Sequence, residues 1–154
     1  MTYIQRGTVI CAAVALVMPA AAQEKKIDRS ALPAAVAKTV DRETKGATIK
    51  GFATERENGK KMYEAETMVG GHSRDISIAE DGTLKEVEEE VALDSLPDGV
   101  KVGLTARADG AKITKVESLT KGGKLVAYEA ATLRGSKKGE VQVGPSGAPL
   151  KHQE

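Results

Sequence analysis

The sequence predicts an α+β fold made of two tandem units. Each unit is one helix followed by a three- to four-stranded antiparallel meander, with the helices on one face of the sheet. An internal duplication, an i, i+4, i+8 apolar spacing at the head of each copy, and turn residues that punctuate alternating segments behind it carry this expectation. Leu32-Pro33 recurs as Leu96-Pro97, Val36 as Val100, Val40 as Leu104, Gly46-Ala47 as Gly110-Ala111, Ile49 as Ile113 and Gly59-Lys60 as Gly123-Lys124, at one constant offset. After a single inserted residue, Tyr63-Glu64-Ala65 aligns with Tyr128-Glu129-Ala130, Thr67 with Thr132, Gly70 with Gly135 and Gly82 with Gly147.

The N-terminus comes first in the chain. Arg6 precedes an apolar run from Thr8 to Met18, Pro19 breaks it, and Ala20-Ala21-Ala22 supplies small residues. That order is expected of a secretory signal peptide over residues 1–22, cleaved before Gln23. The run is too short to span a bilayer comfortably. Its one cysteine, Cys11, would be removed with it, leaving a chain with neither disulfide nor thiolate metal site.

In the first unit, residues 23–95, the Leu32, Val36 and Val40 stripe predicts a helix. Ser30 is placed to cap it and Pro33 suits its first turn. Gly46 is a natural stop. Strands follow over 47–57 and 60–69, joined at Asn58-Gly59, then over 74–79 and 83–91, with turns at Gly70-Gly71 and Asp81-Gly82. The second unit, residues 96–150, repeats the helix through Leu96, Val100 and Leu104. Gly99 and Gly103 weaken it, each by about 1 kcal/mol relative to Ala. Three strands repeat, the fourth is missing or vestigial, and residues 151–154 form a short polar tail expected to fray. The three-residue gaps between Ile49 and Phe52 and between Ile113 and Val116 break simple alternation. Either a bulge lies between them, or each strand offers one apolar residue to each face.

Charge and composition exclude several classes. Loss of Arg6 balances basic against acidic residues, 23 and 22 in the whole chain. With aromatics at 3%, neither the phosphate attraction nor the stacking surface of a nucleic-acid binder is present.

Helix with Leu-Pro, Gly-Ala-x-Ile, a hairpin at Asn/Gly-Gly-Lys, Tyr-Glu-Ala and then an Asp-Gly turn resembles a PepSY-like domain. Two such copies behind a signal peptide are similar to the beta-lactamase-inhibitor-like PepSY-like proteins of bacteria. The resemblance covers Leu32 to Leu150. It implies helices packed on antiparallel sheet, export and a non-catalytic role, with binding or inhibition of enzymes in some relatives. It carries over no catalytic residue. Asp98-Gly99 in place of two alanines, and the end of the last strand at Gly144-Pro145, depart from the first copy.

Glu86, Glu88 and Glu90 share one face of their strand; without calcium-loop spacing they read as a solvated face whose charges discourage edge association. His72 and His152, without cysteine or matched spacing, make no zinc site, and Ser73 beside His72 lacks an orienting carboxylate in sequence. Tyr63 and Tyr128 are expected to pack under the helices. Lys121, Lys124, Lys137 and Lys138 give the second unit a basic rim. If Tyr63, Ala65 and Thr67 face the helices, then Met62, Glu64, Glu66 and Met68 face outward, joined by Glu129 of the second unit. Two exposed methionines beside carboxylates suit partner contact.

The expected function is therefore non-catalytic binding, in the periplasm or secreted, of another envelope or extracellular protein, as an inhibitor or modulator. No cofactor and no stable membrane anchor after cleavage are expected. The alternative is a periplasmic carrier or sensor of a small ligand or metal ion.

Overall fold

The computed structural model describes residues 24–57 and 59–154. The expected signal peptide, residues 1–22, and Asn58 lie outside the described residues. Among the described residues, eight strands form one antiparallel sheet in which each strand lies beside its sequence neighbours. They are β1 (Lys25–Ile27), β2 (Thr48–Glu57), β3 (Lys60–Val69), β4 (His72–Ala79), β5 (Leu84–Glu90), β6 (Lys112–Lys121), β7 (Lys124–Arg134) and β8 (Lys137–Val143). Helix α1 (Ala34–Glu43) lies between β1 and β2, and α2 (Asp98–Ala108) between β5 and β6.

The α+β class and the helix positions match expectation; the sheet is longer than the three- to four-stranded meanders expected. Strand β5 pairs with β6 from Glu86↔Lys121 to Glu90↔Glu117 and fuses both halves into one sheet. Two meanders side by side would each leave a row of unpaired backbone groups at the junction, and pairing β5 with β6 removes both edges. Strand β1 was not anticipated. Three residues are too few to show a period, but Ile27 pairs with Phe52 and packs on the first core cluster. After β8, the second half offers only an isolated bridge, Val143↔Pro149, where the first half has β5.

Each helix rests on its own half of the sheet. Val36 and Val40 pack with Phe52, Tyr63, Ala65, Ile76 and Ile78. Val100 and Leu104 pack with Leu96, Val116, Ala130 and Val143, with Tyr128 half-buried against them. Ile76 opposes Val87 and Val87 opposes Thr120, so Val116, two alternations along β6, lies on the same face as Ile76. Both helices therefore cover one face.

Leu32 and Leu96 reach the core from extended backbone just ahead of the helices rather than from the helices themselves. Ser30 is not the cap. It lies in a 3-10 turn, Arg29–Ala31, and α1 starts from Pro33 without a side-chain cap hydrogen bond. The irregular apolar spacing resolves into bulges, between Ile49 and Gly51 in β2 and between Ile113 and Lys115 in β6. Each extra residue returns the next apolar side chain to the helix side.

Val36 is fully buried. Val36→Ala should cost about 2 kcal/mol of stability, from lost apolar transfer and an unfilled cavity. The urea midpoint of the variant measures it; a midpoint equal to wild type would place the stripe in solvent.

Candidate functional site: the uncovered face of the sheet

The face opposite the helices is built row by row from the strand register. Ala53, Glu64, Ser77, Glu86 and Lys121 oppose one another across five strands. Asp75, Glu88, Leu119 and Ala127 form the next row. Glu90, Glu117, Glu129 and Gln142 form a third, and Glu55, Met62 and Ala79 border the first. Among the described residues no helix lies over these rows, yet Ala53 and Ala127 are fully buried and Leu119 and Met62 nearly so. The long charged side chains around the small and apolar ones cover them, their stems apolar and their heads outward. The face thus has an apolar floor and an acidic rim.

The rim is unevenly neutralised. Lys121 Nζ lies 3.0 Å from Glu86 Oε2 and 3.8 Å from Glu57. Lys115 Nζ lies 2.6 Å from Glu117, and Lys26 Nζ 3.3 Å from Glu66. Glu129 accepts from Gln142 Nε2 at 2.6 Å. Among the described residues no lysine or arginine pairs with Glu55, Glu64, Asp75 or Glu88. These four, with Ser77 and Glu86, line a recess of about 120 Å³. Asp75 accepts the Thr67 N–H at 2.8 Å, which fixes its carboxyl there. The Ser77 hydroxyl oxygen is buried and has no hydrogen-bond partner among the described residues.

Burial, with Asp75 and then other carboxylates adding repulsion, pushes Glu64 up to about 7. Burial and a hydrogen bond shared with Glu86 push Glu88 further, to about 9. Glu55, Asp75 and Glu129 are raised as well, burial being the first cause in each. A carboxyl out of bulk water with no cation beside it keeps its proton, because the neutral form loses less hydration.

The five residues expected to contact a partner, Met62, Glu64, Glu66, Met68 and Glu129, all lie on this face. The expected exposure of Met62 is corrected: it is 3% exposed, wedged between the Glu55 and Ala79 rows. Met68 is half-buried. The solvated reading of Glu86, Glu88 and Glu90 is also corrected. Strand β5 is paired on both sides, so these charges guard no edge, and all three are partly buried.

Sequence reasoning missed Asp75, Ser77, Lys115 and Leu119. The alternation of Ser73, Asp75 and Ser77 against Ile76 and Ile78 was a usable signal for two of them. Tyr63 packs under α1 as expected, with Lys61 Nζ 4.6 Å from its ring centroid. His72 opens β4 and meets Glu89 at 3.0 Å, on the helix side. Among the described residues no group of three or more histidine or carboxylate side chains has a geometry that could hold a metal ion. Nor does Ser77, without a base in hydrogen-bond reach, form a nucleophile pair.

No protein-family model matches the chain. No curated protein matches it either. Solved structures share its fold. A BLIP-like protein from Bacteroides fragilis is 17% identical with a TM-score of 0.57, over 79% of this chain and 85% of that one. A DUF2874 family protein from Bacteroides ovatus is 18% identical with a TM-score of 0.60, over 78% and 85%. A third, from Bacteroides eggerthii and described as a "putative periplasmic" protein, is 16% identical with a TM-score of 0.63, over 79% and 88%. The fold expected from the resemblance, helices on antiparallel sheet in the BLIP-like manner, is the fold found.

Proposed function

We propose that this chain is an exported, non-catalytic binding protein of the bacterial envelope that inhibits or modulates another envelope protein through its uncovered sheet face. The observation that carries this is the face itself: an apolar floor sealed by a partly buried acidic rim, on the one side of the sheet that its own helices leave free. Ordered, partly desolvated side chains on a rigid sheet are pre-organised for contact. The leader pattern at residues 1–22 and the BLIP-like and periplasmic descriptions of proteins with this fold support the compartment and role. No helix among the described residues is long and apolar enough to cross a membrane.

The chain is read as two copies of one unit. The bulges fall at equivalent positions in β2 and β6. Equivalent turns, at Gly82 and Gly147, pack on equivalent helix positions, Ala35 in α1 and Gly99 and Gly103 in α2. As for the carrier alternative, the recess of about 120 Å³ is below the roughly 300–1,000 Å³ of small-molecule sites, and two larger hollows, of about 570 and 400 Å³, are lined mostly by charged side chains rather than the apolar ones such sites need.

Site-directed photo-crosslinking in the native envelope tests the reading. A crosslinker at Met68 or Glu129 should yield a discrete protein adduct, and one at Val102, 68% exposed on α2, should not. Adducts of equal yield from all three positions, or from Val102 alone, would remove this face from the function.

A further inference from the structure

We infer that the recess on the uncovered face receives the cationic head of a lysine or arginine side chain from a partner polypeptide. This deepens the binding role proposed above and rests on it.

Size is the first argument. About 120 Å³ accommodates one ammonium or guanidinium group with the end of its stem, and little more. Chemistry is the second. Glu64, Asp75 and Glu88 line the recess without a lysine or arginine among the described residues to pair with, while the lysines nearby are engaged by Glu86, Glu117 and Glu66. The third is Ser77. Its buried hydroxyl oxygen, lacking any partner, lines the same recess and can accept one N–H from an inserted cation. Buried polar atoms are nearly always satisfied, so an orphan lining a recess marks a place for an incoming donor. A free inorganic cation fits less well, because no group of carboxylates here has the geometry that would hold one. A second copy of this chain would bring the same acidic face and be repelled.

The occupied recess would reverse the state of its carboxyls. Burial raises the carboxyls of Glu64 and Glu88, and an inserted cation stabilises the charged forms.

Hexalysine is the probe, with hexaglutamate and calcium ions alone as comparisons, measured by calorimetry and by amide chemical shifts on the mature chain at low salt. Hexalysine should bind, shift the Asp75 and Ser77 amides most, and lose at least tenfold in affinity in Glu64→Gln/Glu88→Gln. A comparison variant with two acidic side chains changed outside the recess, Glu80→Gln/Asp94→Asn, should change affinity less than twofold. Equal weakening by both variants would show diffuse attraction and overturn the proposal. So would binding of calcium ions without hexalysine, or shifts confined to other strands. Should Glu64→Gln/Glu88→Gln not fold, the wild-type shift map decides alone. Crosslinked adducts at Met68 and Glu129 with no hexalysine effect would defeat this inference and leave the docking role standing.

Discussion

Gly103→Ala is expected to destabilise the protein by about 3 kcal/mol, the reverse of the gain of about 1 kcal/mol that the same change brings in a free helix. A Cβ at Gly103 would meet the carbonyl oxygen of Gly147 well inside van der Waals contact, and one at Gly99 would lie 2.7 Å from the Ser146 carbonyl oxygen. Both obstacles are backbone. The turn cannot retreat cheaply, because Gly147 N–H donates to the Gly144 carbonyl and Gly144 N–H to the Ala148 carbonyl, each at 2.8 Å. Gly147 also stands at φ +86, where a side chain would be strained. In the first half, Gly82 packs beside Ala35, and its carbonyl accepts the Thr39 hydroxyl at 2.6 Å. The second half replaces that hydrogen bond with closer backbone contact. Val102→Ala, on the exposed side of α2, should move stability by no more than about 0.5 kcal/mol. Urea unfolding of the two variants makes the comparison. A Gly103→Ala protein as stable as wild type would mean that turn and helix do not touch.

Stability should fall as pH rises from about 5 to 9, and Glu88→Gln should abolish much of that fall. The carboxyls of Glu64 and Glu88 are raised to about 7 and about 9 in the folded chain, against about 4.3 when unfolded. Between those values the folded state holds protons that the unfolded state has released. The unfolded state is therefore favoured increasingly with pH, no penalty applying below about 4.3. Asp75 on β4, Glu86 on β5, Glu117 on β6 and Glu129 on β7 face or repel Glu88, and Lys121 pairs with Glu86 instead. Discounting for solvent access and for sharing of the proton with Glu86, the Gln variant should gain about 3 kcal/mol over wild type at pH 9 and little at pH 5. A glutamine amide can donate to Glu86 as the protonated acid does. Paired melting curves across that range would decide. Curves that stay parallel would show that Glu88 ionises freely in the folded chain.

Local order was legible because its causes are local. Glycines at Gly46, Gly59, Gly82 and Gly110 take positive φ where the turns and helix stops were expected. The alternation that put Tyr63 and Ala65 under a helix and Glu64 and Glu66 opposite them follows from strand geometry alone. The duplication pointed to two helices, and both pack as their apolar stripes required. Even the irregular spacing at Ile49 and Phe52 announced a departure, though not which kind.

Tertiary structure decided what depends on neighbours distant in the chain. Glu88 reads as solvated until Asp75 and Leu119 stand on either side of it, and only the β5–β6 pairing puts Leu119 there. Met62 reads as exposed until its flanking rows close over it. Gly99 and Gly103 read as defects in a helix until the turn at Gly147 packs on them. Periodicity tells which side of a strand a residue faces; how deeply it lies there, and what ionisation that depth permits, follows from cross-strand contacts that no single segment encodes.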